Sequence, residues 1–211
     1  MQLLDDLRRE HDRIDAVLGA LRTWADRLRD GKAPLADRDA FVTFFSVYAG
    51  AFHHEREEEV LFPALTRDAD LPSGRGPIAV LLDDHRRMET LLRGIAGSSD
   101  PSAMAALAMA YSHALWMHID VENSVFFPES EHQLRRNGVR ELQSRPATAA
   151  EADAASTGEA LIARYPPMEP DAIRGEGCVM CHAYGDTCRG LEREWWNEWE
   201  WDEISERVAA S

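Results

Sequence analysis

Apolar side chains recur every three or four residues over four stretches of the chain, the period of an amphipathic helix. From residue 3 to 28, Leu4, Leu7, Ile14, Leu18, Leu21, Ala25 and Leu28 form one seam, and His11 fills the slot between Leu7 and Ile14. GKAP (31–34) breaks the period, and Asp37 stands where it can cap the next helix. The second seam is Phe41, Phe44, Tyr48, Ala51, Phe62 and Leu65, with Glu55 and Glu58 in its two missing slots and Pro63 near its end. DLPSGRGP (70–77) reads as a loop. A third helix, about 78–95, turns Ile78, Leu81, Leu82, Leu91, Leu92 and Ile95 inward, with His85 among them. After GSSDP (97–101), with Asp100 or Ser102 as cap, a fourth helix of about 102–134 carries Leu107, Tyr111, Leu115, Val121, Val125 and Phe126. His118 and Glu122 share that seam. No β-type alternation appears, so the pattern predicts an all-α fold, an up-down-up-down four-helix bundle over residues 1–136.

The texture changes after Asn137-Gly138. SRPATAAEADAASTGEA (144–160) is poor in bulky apolar residues, and 137–172 reads as a linker or a weak helix. Residues 173–211 form a Cys/Trp-rich segment in which Leu191, Trp195 and Trp199 are spaced four apart. That segment is expected to pack on the bundle, because exposed tryptophans are unfavourable.

The polar members of the seams repeat. EHDRIDAVL from Glu10 parallels DHRRMETLL from Asp84, and His54-x3-Glu58 parallels His118-x3-Glu122. LFP (61–63) and FFP (126–128) follow, with one residue gained before the second proline. A hairpin carrying one His and then His-x3-Glu thus occurs twice. Side chains four apart share a helix face, so two such hairpins face to face bring His11, His54, Glu58, His85, His118 and Glu122 to one point. Unpaired carboxylates in a bundle core are very unfavourable unless a cation neutralises them. Glu55, whose counterpart is Ile119, joins as an asymmetric ligand. His53, Glu57 and Glu59 sit off that face and are expected in water, with Glu59 the substitute if Glu55 is not a ligand. Glu89 is expected beside the centre or in solvent, and His113 points away. Tyr48, Tyr111, Phe44, Phe62 and Phe126 read as core, with a hydrogen bond from Tyr48 toward the centre as the minority view. Four imidazoles and two bridging carboxylates, with Glu55, leave about two or three positions of a metal pair for exchangeable ligands. Mixed imidazole and carboxylate donors suit iron, with manganese or zinc as alternatives.

Charge and cysteine usage narrow the partners. A net charge of −15 over 211 residues argues against nucleic acid and anionic membranes. The absence of a long apolar run or of a signal-type start leads us to expect a cytoplasmic protein. Cys178, Cys181 and Cys188 cannot make a disulfide framework. With His182 they could hold one zinc as a Cys3His knot, or form a redox-active thiol pair. Cys178-x2-Cys181-His182 also matches the c-type haem attachment pattern, which belongs to exported proteins.

At these residues the chain resembles the hemerythrin-like (HHE cation-binding) family over about residues 1–135, by its motif order and its Phe-Pro signatures. The resemblance implies a non-haem di-iron centre that binds oxygen, peroxide or nitric oxide, or senses oxygen or iron. By position it carries the ligands onto His11, His54, Glu55, Glu58, His85, His118 and Glu122. One departure stands out. Oxygen-carrying members have His-x3-His on the third helix, and here that pair is His85-x3-Glu89. A missing histidine and an added carboxylate favour the ferric state and redox turnover over reversible carriage. The alternatives are a sensor that signals through its C-terminal segment to a protein partner, and a di-iron oxidase of an organic metabolite.

Overall fold

The structure, a computed structural model, describes residues 1–167 and residue 200. Among them every regular element is helical. Helix α1 spans Gln2–Arg29 and buries Leu3, Leu4, Leu7, His11, Ile14, Leu18, Leu21 and Leu28 along one stripe. It stops where Gly31 takes φ 69°, which lets Lys32 N–H reach back to the Arg27 carbonyl at 2.7 Å.

Helix α2 is a continuous rod over residues 38–68, and it is irregular. It starts as an α-helix, Arg38–Thr43, then widens to π-type turns over Phe44–His54 and again over Glu57–Leu61. It closes as an α-helix over Phe62–Asp68. Each wide turn holds more than four residues, so the inward stripe advances faster along the sequence than a 3.6 period allows. The stripe therefore leaves Ala51, which is exposed, and runs through Ala49, Phe52, His53, Glu57 and Leu61.

Helix α3 is Gly76–Gly97 and buries Ile78, Leu81, His85, Met88, Leu92 and Ile95. Helix α4, residues 101–136, starts at an Asp100 cap whose carboxylate accepts from the backbones of Ser102 and Ala103. It is regular except for one wide turn, Glu122–Phe126. The chain then runs without regular structure to Thr148, which opens helix α5, Ala149–Arg164, through a reciprocal cap with Glu151. Part of the span read as a linker or weak helix is thus a packed helix. It escaped a bulk-based reading because it buries Ala154 and Gly158 as well as Leu161. At Gly158 a Cβ would lie 2.6 Å from the Phe44 ring, so glycine alone lets α5 come this close.

Helix α1 packs along α4, α4 along α3, and α2 touches α1, α3 and α5. The bundle holds two apolar clusters. One gathers Ile14 to Leu28, Phe41 to Phe52, Met88 to Ile95 and Met104 to Ile119, with α5 against it. The other gathers Leu3 to Leu7, Leu61 to Leu65, Ile78 to Leu81 and Val125 to Leu134. On every long helix the residues between the two clusters are the polar ones: His11, His53 to Glu57, His85, and His118 with Glu122.

Candidate metal centre

The polar layer closes on itself. His54, Glu57, His85 and His118 form one group whose donor atoms lie within 4.8 Å of one another, and His11, His53, Glu57 and Glu122 form a second. All seven side chains are buried, with Glu57 and Glu122 wholly so. Glu57 belongs to both groups. Its Oε1 lies 3.4 Å from His53 Nε2, and its Oε2 lies 3.6 Å from His85 Nε2. Glu122 also spans them, with Oε2 3.2 Å from both His11 Nε2 and His118 Nε2. His85 and His118 bring their Nε2 atoms to 3.2 Å, and His54 stacks on His85 at 4.0 Å between ring centroids.

The outer ring nitrogens are held from behind. His53 Nδ1 meets Glu10 at 3.0 Å, His85 Nδ1 donates to Glu58 at 2.6 Å, and His11 Nδ1 donates to Asn123 at 2.9 Å. Asp84 stands 3.7 Å from His118 Nδ1. A proton fixed on Nδ1 leaves Nε2 as a lone-pair donor aimed inward, the arrangement that metal-binding histidines use. Glu10 is itself gripped by Arg56, which lies over the Phe52 ring and reaches Ser144.

Among the described residues most of the inward atoms find no hydrogen-bond partner. The Nε2 atoms of His11, His53 and His54 and all four carboxylate oxygens of Glu57 and Glu122 are buried without an aligned hydrogen bond. Such atoms are rare in folded proteins and unfavourable unless something binds them. The charges show the same need. Burial and the neighbouring Glu122 push the Glu57 carboxyl well above the carboxylate range. Burial would raise Glu122 too, but His118 and His11 hold it well below. His118 rises to about 9 against its burial, because Glu122 and Asp84 favour its cation. Burial, with His11 beside it, lowers His53 to about 4, and burial with His85 beside it drives His54 well down. The layer thus disfavours a charge on Glu57 and favours a proton on His118 beside Glu122. These donors fit metal ions, which would take the proton's place on Glu57 and His118.

Five of the expected residues meet here: His11, His54, His85, His118 and Glu122. Two do not. Glu55 lies on the outer side of α2, paired with Arg145 at 2.8 Å. Glu58 is exposed at the rim and reaches the layer only through His85 Nδ1. Their places are taken by His53 and Glu57, which are wholly buried and not in water as their helical spacing predicts; Glu59 does face solvent. The wide turns of α2 cause the change, because they rotate the stripe by about one residue relative to a 3.6 template. A signal for this was in the chain. Glu57-x4-Phe62-Pro63 and Glu122-x4-Phe127-Pro128 align with no residue gained, and both are preceded by His-x3-Glu. His54 is then the asymmetric residue, opposite Ile119. It brings the imidazoles to five, so the layer does not carry the extra carboxylate expected from His85-x3-Glu89. Glu89 pairs with Arg93 on the surface, and His113 is exposed. Tyr48 accepts a hydrogen bond from Arg13, at 2.7 Å. Cys178, Cys181, His182 and Cys188 lie outside the described residues.

A helical bundle whose buried middle layer presents imidazoles and shared carboxylates with free lone pairs is, by class, a metal-binding helical protein. Residues 2–130 match the family model of the hemerythrin HHE cation binding domain, and the chain belongs to that family. No curated protein and no solved structure matches the chain.

Proposed function

We propose that this protein is a non-haem di-iron protein of the hemerythrin type that binds oxygen, peroxide or nitric oxide. Its four long helices would form an up-down-up-down bundle around the centre. The observation that carries this reading is the sharing of Glu57 and Glu122 between two His groups in a wholly buried layer. His54, His85 and His118 would hold one ion, His11 and His53 the other, and the two carboxylates would join them. The imidazole-rich set suits iron, with manganese or zinc as the alternatives. Bound iron would supply one-electron chemistry toward a small oxidant. The protein's own part is to fix the Nε2 lone pairs through Glu10, Glu58 and Asn123 and to exclude water with Phe62 and Phe127, which stack beside His85 and His11.

A surplus of carboxylate at the centre would favour redox turnover. With Glu55 and Glu58 outside it and a fifth imidazole inside, binding is the better-supported activity. Metal analysis combined with absorption spectra of the ferrous protein tests the proposal. We expect iron in the purified chain and a new visible band on adding oxygen, peroxide or nitric oxide. Zinc alone, or an unchanged spectrum, would reject it.

A sensor is the second reading, favoured by one contact chain. His53 leads through Glu10 and Arg56 to Ser144, in the segment that precedes α5. The state of the centre could thus reach the C-terminal third of a protein that we take to work in the cytoplasm. Removing residues 173–211 should leave small-ligand binding intact but abolish any partner response, if the sensor reading holds.

A further inference from the structure

A cavity of about 370 Å³ opens between α2 and α3 and ends on His54 and His85. A diatomic ligand needs roughly the room of one or two waters, whereas sites for organic ligands start near 300 Å³. The cavity is therefore larger than the ligands of the proposed centre require. Its walls are Phe45, Met88, Leu92 and Tyr111, the two aromatic rings meeting edge to face at 4.9 Å. Such walls favour a flat apolar body, and methionine adds a polarisable contact to a ring. Gly50 contributes to the opening, since a Cβ there would meet only the Phe45 carbonyl, at 3.5 Å.

The polar lining selects the charge of the occupant. Glu89 and Arg93 stand at the cavity but pair with each other at 3.2 Å, so their charges offset. Ser46 and Tyr111 bring hydroxyl-bearing side chains to the lining. A strongly acidic chain further disfavours anions. We propose that this cavity is a binding site for a small neutral aromatic molecule bearing a hydroxyl, of phenol size, lying against the His54 and His85 side of the centre. The inference takes the nature of that centre from the proposed function, but binding in the cavity does not depend on metal.

Saturation-transfer NMR with phenol on the full chain, as purified and after chelation, tests the proposal. Phenol should bind both forms, and benzoate should bind neither. Ala96→Trp places a bulky ring on an exposed lining position and should weaken phenol binding about tenfold or more while leaving metal content unchanged. Gly50→Leu should do the same from the α2 side. The idea is overturned if phenol fails to bind, if Ala96→Trp binds it equally well, or if benzoate binds as strongly. Phenol binding only after removal of residues 173–211 would also overturn it, since the chain itself would then fill the cavity. Phenol binding to a protein that takes up no metal would leave this site standing and remove the di-iron reading.

Discussion

Glu57 has two oxygens that face two different imidazoles, and among the described residues no hydrogen bond satisfies either. Substituting it should therefore remove a donor from both halves of the centre, whereas Glu55 should be dispensable because it pairs with Arg145 on the outer side of α2. Glu58 occupies a middle position. Its carboxylate holds the His85 Nδ1 proton, so Glu58→Gln should retain metal but weaken its affinity by about 10–100-fold, read by competition with a chelator. A full loss of metal in that variant would make Glu58 a direct ligand. His11, His85 and His118 were legible because α-helical geometry holds through their positions. His53 and Glu57 were not, because hydropathy cannot distinguish a wide turn from a narrow one.

At the scale of elements, α5 is the part least evident from composition and the most exacting in its fit. Gly158→Ala would drive a methyl group into the Phe44 ring, and urea unfolding should show a loss of about 1–3 kcal/mol. Little change would mean that α5 sits farther from the bundle. The helix start is also sensitive to acid. Arg145, with the Thr148 backbone and hydroxyl, lowers the Glu151 carboxyl to about 2. Because that pKa is depressed on folding, its stabilisation is present above the unfolded carboxylate range and is lost as the pH falls toward 2. Melting curves of the wild type should fall over that window more steeply than those of Glu151→Gln. Parallel curves would assign the cap no role.

At the scale of the molecule, the bundle is two apolar cores separated by one layer whose inward atoms the described residues leave largely without hydrogen bonds. Among the described residues no helix is long and apolar enough to cross a membrane. A cation that binds only the folded state adds to stability by mass action, about 2.7 kcal/mol at a hundredfold excess over its dissociation constant. Chelation should accordingly lower the melting temperature by about 5–10 °C. An unchanged value would mean that the layer is stable without a cation. The helical pattern was readable because α1 and α3 keep a 3.6 period throughout and α4 keeps it as far as Val121; α5 was hidden by its small residues.

The most direct test is iron content per folded chain in three proteins: wild type, Glu57→Ala and Glu55→Ala. We expect about two irons in the wild type and in Glu55→Ala, and less than one in Glu57→Ala. Full iron in Glu57→Ala together with loss in Glu55→Ala would contradict that expectation.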